Sequence, residues 1–93
     1  MTQENINTIS IPVNADGTIT FEAQANDGII TFTGTAGDIT AYDGIDGTHW
    51  RNVGTETMSG TSYVMRLEAC VVHSTLKFVT TGTFSGAVLQ WNN

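Results

Sequence analysis

Ninety-three residues carry nine acidic side chains against three basic ones, a formal net charge of −6. A domain of this length buries only about 60–65% of the surface it would expose unfolded, and its lone cysteine, Cys70, leaves it without an intramolecular disulfide or a paired-Cys metal framework to brace it. The acidic balance argues against nucleic acid and anionic membranes as partners, which leaves a protein surface, including copies of the chain itself.

Residues 1–7 are polar and read as an N-terminal arm ahead of a single domain over 8–93. The arm lacks the basic and apolar regions of a secretory signal, and no window approaches the ~18 apolar residues of a membrane span, so a soluble protein made in the cytosol is expected. From Asn7, Ile9, Ile11 and Val13 alternate with Thr8, Ser10 and Pro12, the pattern of a half-buried strand that Pro12 places at a sheet edge or near its own end. The turn "NADG" follows, then a second alternating run over 18–25 with Ile19, Phe21, Ala23 and Ala25 inward. The two runs predict a hairpin. "NDG" at 26–28 turns the chain again into a third strand over 29–35, and "AGD" leads to a short fourth over 39–42.

The stretch "AYDGIDGTHW", 41–50, gathers two Asp-Gly pairs, an imidazole and an indole. Its Asp-Gly pairs predict a reversal into a fifth strand over 48–53, and residues 54–60 read as loop. Tyr63, Met65, Leu67, Ala69 and Val71 hold a two-residue period opposite Val64, Arg66, Glu68 and Cys70. A helix over 62–73 is the competing reading, since Tyr63, Leu67 and Val71 are four apart, but the β-branched and aromatic density favours a strand. "LKFV" and "TFSGAVLQW" complete the set, the latter ending at Trp91. About eight short strands, sixteen Thr, ten Gly and no helix predict an all-β antiparallel β-sandwich or jelly-roll-like barrel.

Several chemistries are weighed against plainer roles. Asp43 and Asp46 lack the alternating oxygen ligands of an EF-hand loop; an irregular calcium site using both remains open beside the plainer reading of turn-forming Asp-Gly pairs. Cys70 and His73 have the separation of half a zinc site, but His49 is the one other imidazole and strand geometry would turn Cys70 and His73 to opposite faces. Cys70 or Ser74 with His73 or His49 could form a nucleophile pair, yet there is no Gly-x-Ser-x-Gly elbow and little room for a cleft, so no enzyme activity and no cofactor are expected. Trp50, Tyr42, Tyr63 and Trp91 could form a sugar-stacking face; the plainer reading makes the tryptophans core or interface anchors.

Three segments carry a resemblance. "ITAYDGIDGTHWRNVG" (39–54), "YVMRLEACV" (63–71) and "GTFSGAVLQW" (82–91) are similar to motifs of small structural virion proteins of tailed bacteriophages, although here the last follows the Asp-Gly-Trp element instead of preceding it. The resemblance implies a head decoration (cement) protein on the outer surface of the virion capsid, made in the host cytoplasm. Its partners would be the major capsid protein and copies of itself, commonly as a trimer. The arm residues Asn5, Ile6, Asn7 and Ile9 would then contact a neighbouring capsid subunit, with Trp50, Arg51 and Trp91 as anchors. The alternative is a receptor- or glycan-binding domain of a tail or fibre.

Overall fold

A computed structural model describes residues 6–92 as eight strands: β1 (Ile6–Ile11), β2 (Ile19–Glu22), β3 (Gly28–Gly34), β4 (Gly37–Gly44), β5 (Arg51–Met58), β6 (Ser62–Leu67), β7 (Thr75–Thr80) and β8 (Phe84–Asn92). They form two four-stranded antiparallel sheets, ordered β1-β8-β3-β6 and β2-β7-β4-β5. Every connection except β4–β5 crosses from one sheet to the other. The pairs β1–β8, β2–β7, β3–β6 and β4–β5 nest inside one another, so the chain is one long hairpin, folded at the β4–β5 turn and rolled up. The pairs β3–β8 and β4–β7 close the roll, giving the strand order of a jelly roll.

The core follows from alternation. Ile30 and Phe32 of β3, Ile39 and Ala41 of β4, Leu76 and Phe78 of β7, and Ala87 and Leu89 of β8 are buried between the sheets. Phe32 bridges Phe84 on its own sheet (ring centroids 5.0 Å) and Phe78 of the opposite sheet (4.9 Å), and Phe78 stacks on Phe21 at 5.8 Å. These rings tie both sheets together, and each buried phenyl contributes about 1.5–3 kcal/mol through removal from water.

Three expectations are corrected. The first two strands do not form a hairpin: β1 pairs with β8 and β2 with β7, in different sheets. The 14–17 turn, closed by Gly17 N–H to Asn14 O (2.9 Å), carries the chain across the end of the sandwich. Alternation fixes which face of a strand is buried, but not which strand lies beside it. The expected loop over 54–60 lies largely in β5, whose residues Arg51–Thr57 are all exposed and so show no apolar period; β4 pairing holds it, with Thr40 and Thr55 hydroxyls 3.1 Å apart and Thr57 donating to Asp38 (2.9 Å). The sixth element is a strand, as expected, but ends at Leu67 because Ala69 (φ 54°) and His73 (φ 72°) are left-handed.

Candidate interaction surfaces

The β4–β5 turn is built by its own carboxylates. Asp46 Oδ1 accepts from the Thr48 and His49 backbone N–H groups (3.0 and 2.9 Å), and Asp46 Oδ2 lies 2.5 Å from His49 Nδ1. These bonds favour the charged form and hold the Asp46 carboxyl well below the usual carboxylate range. Asp43 receives both Nε and Nη2 of Arg51, at 3.0 and 2.7 Å, and that bidentate pair lowers the Asp43 pKa. The first duty of both Asp-Gly pairs is therefore structural, with Asp46 closing the turn and Asp43 clamping the start of β5. Gly44 is required here, since a Cβ would sit 2.4 Å from the His49 carbonyl oxygen.

His49 precedes the observed strand and points to solvent, its side chain 88% exposed. Trp50 is half-buried, its ring 5.2 Å from Lys77 Nζ. Lys77 pairs with Tyr42 of β4 and Thr20 of β2 and lies on the outward row of the β2-β7-β4-β5 sheet, so Trp50 lies over that outer face. Trp91 continues the inward row of Ala87 and Leu89 and packs against the core. The two tryptophans thus belong to different sheets and do not share one aromatic platform.

Ile6 and Asn7 are part of β1 and not of an arm, because they pair with Asn92 and Trp91 of β8; Asn5 lies outside the described residues. Ile9 pairs with Leu89 on the inward row at the sheet edge. Ile6, Asn7 and Trp91 therefore come together at the end of the sandwich that also holds the β4–β5 turn, whereas Trp50 and Arg51 occupy the other sheet.

A surface that linear sequence reasoning missed is the outer face of the β1-β8-β3-β6 sheet. Register places Ile6, Thr8 and Ser10 of β1, Val88 and Gln90 of β8, Ile29, Thr31 and Thr33 of β3, and Ser62, Val64 and Arg66 of β6 on one side. Ile6, Ile29 and Val64 are 58%, 44% and 60% exposed. No carboxylate occupies an outward position of these strands among the described residues, in a chain with nine acidic residues. The opposite sheet's outer face carries Glu22 and Asp38, and the remaining described acids sit on turns, ends and the inner edge. Only cross-strand register assembles this face, with neighbours such as Thr8 and Gln90 lying 82 residues apart in sequence, and no local pattern announces it.

The other feature is a cleft of about 610 Å³ between the β5 and β6 edges. Its floor is Ala41, Leu76 and Phe78, with Met65 and Leu67 on one wall. Tyr63 donates to Glu56 Oε2 (3.1 Å), which raises the phenol's pKa. The Cys70 thiol at the same cleft is pushed up by burial, with Asp27 and Asp43 adding to the effect.

No protein-family model matches this chain, and no curated protein sequence matches it.

Proposed function

We propose that this chain is a structural docking protein of a phage virion: a head decoration protein that lays the outer face of its β1-β8-β3-β6 sheet on major capsid subunits, with copies of itself around it as a trimer. The observation that carries the reading is the β-branched character of that face and the absence of carboxylates from its outward strand positions, on a strongly acidic molecule. Interface centres are depleted of charge, and rows of Ile, Val and Thr can be desolvated while the face's one strand-borne ion, Arg66, stays paired with Glu68 at the end of β6. The resemblance to small virion proteins falls on the β4–β5 hairpin, β6 and β8, and jelly rolls occur in both capsid and lectin domains, an argument at fold level only.

The test is occupancy on expanded capsids. Val64→Glu and Ile29→Glu each place a carboxylate on an exposed position, so the fold is retained, while burying the new charge at the interface costs about 3 kcal/mol, roughly a hundredfold in affinity. Undiminished coating by both folded variants rejects this face as the docking surface. The alternative of a receptor- or glycan-binding domain draws on the half-buried Trp50 ring against Lys77, on the outer face that also carries Tyr42. Glycan-array binding abolished by Trp50→Ala, with no capsid binding, would favour it.

A further inference from the structure

The sandwich has four edge strands, β1 and β6 in one sheet and β2 and β5 in the other. Exposed edges invite pairing with foreign strands, and native proteins blunt them. Pro12 follows β1 directly, and β2 has only four residues. The β5 edge is broken by a bulge opposite Ala41/Tyr42, where the Asn52 side chain accepts the Gly54 N–H at 2.9 Å. The fourth edge differs. β6 runs six residues in unbroken register with β3 and pairs with no other strand among the described residues.

That edge opens on the cleft. On the β1/β2 side, Ile11, Ile19 and Phe21 close the core. On the β5/β6 side, the inward positions of β5 include Arg51, Gly54 and Glu56, which register places opposite Asp43, Ala41 and Ile39. Gly54 has nothing within 4 Å of its Cβ position and a φ of +147° that L side chains rarely adopt, so this wall stays open. The apolar floor reaches the buried Phe78 and Leu76. Around the rim Arg51 is paired with Asp43 and Arg66 with Glu68 (3.0 Å), while Glu56 accepts a hydrogen bond from the neutral Tyr63 hydroxyl. An anionic ligand would have to break one of the two ion pairs to reach an arginine, and the apolar floor offers a charged group no partner.

An occupant suited to this geometry has a backbone to pair with β6 and uncharged apolar side chains to fill the cleft. We infer that the β6 edge accepts an extended segment of a different protein chain, with alternating apolar side chains, as a fifth strand of the β1-β8-β3-β6 sheet. Main-chain hydrogen bonds to β6 supply affinity, and the Met65–Leu67–Phe78 cleft selects every second side chain. The cleft's volume lies within the roughly 300–1,000 Å³ typical of ligand sites. Residues 1–5 of a second copy, Met-Thr-Gln-Glu-Asn, match it poorly, with one apolar side chain and a carboxylate. This site uses the backbone edge of β6 and its inward Met65 and Leu67, whereas the face proposed for capsid docking uses the outward Ser62, Val64 and Arg66, so the two readings are tested by different variants and can fail separately.

The experiment titrates the whole protein with a short capped peptide alternating valine and threonine, and with the same peptide N-methylated at alternate residues. Amide NMR should show saturable shifts in β6 and β5 and slowed exchange at the β6 edge. The N-methylated peptide should bind about tenfold more weakly or worse, since it loses two or more backbone bonds. Three results would overturn the inference: no saturable binding, equal binding of both peptides, or a free protein already dimeric by light scattering with its β6 edge amides protected.

Discussion

Asp43 and Arg51 show how one residue pair can be structural and still leave its mark on stability. The bidentate contact depresses the Asp43 pKa, and because the Arg51 side chain is 74% exposed, solvent screening leaves the pair a small net contribution. A depressed carboxylate contributes stability that is present above its unfolded pKa and lost as pH falls through its folded one. Arg51→Ala should therefore raise the Asp43 titration midpoint by carbon-detected NMR and lower stability at neutral pH, while leaving stability well below the folded pKa unchanged. At Gly44 the effect is steric: Gly44→Ala drives a methyl into the His49 carbonyl, which sits 2.4 Å from the Cβ position. A loss of about 1–3 kcal/mol is expected, read as a clear fall in Tm. An unchanged Tm would mean that the turn yields freely. Ala69, at φ 54°, predicts the opposite sign: Ala69→Gly relieves a left-handed backbone and should raise stability by up to about 1 kcal/mol in urea unfolding.

Among the elements, the aromatic chain carries the greatest weight. Phe78 touches Phe21 and Phe32 and is 1% exposed, so Phe78→Ala should cost about 3–5 kcal/mol in chemical denaturation, against a small effect for truncating the exposed Ile45. Sequence made β3, β7 and β8 legible because each has one buried face and alternates accordingly. It also showed the β4–β5 reversal, because Asp-Gly pairs have few other uses. β5 was largely hidden: a strand whose side chains stay wet carries no apolar period, and only its ladder with β4 reveals it. The β1–β2 hairpin failed for a related reason. Two alternating runs joined by a turn look the same whether the turn stays within a sheet or crosses between sheets. Trp91 was open in sequence between core and interface anchor, and its place on the row of Ala87 and Leu89 packs it against the core.

At the scale of the molecule, the rolled long hairpin explains how so small a chain assembles the face proposed above for docking. Nesting puts the two ends of the described chain, β1 and β8, side by side and brings β3 and β6 in beside them. The resulting face draws its residues from four separate segments and excludes the acidic turns. Those turns gather at the ends and on the other sheet, where their charge discourages unselective contact with other acidic surfaces. The candidate site was therefore legible only in part: Ile6 was picked out as a contact, while Ile29, Val64 and Val88 became neighbours only through register. The central claim is that this face meets the capsid, and radical footprinting of capsid-bound against free protein tests it most directly. Oxidation of Ile29 and Val64 should fall on binding, while the exposed Ile45, Val53 and Val71 should react as before. Protection of Ile45 and Val53, with Ile29 and Val64 still fully reactive, would contradict it.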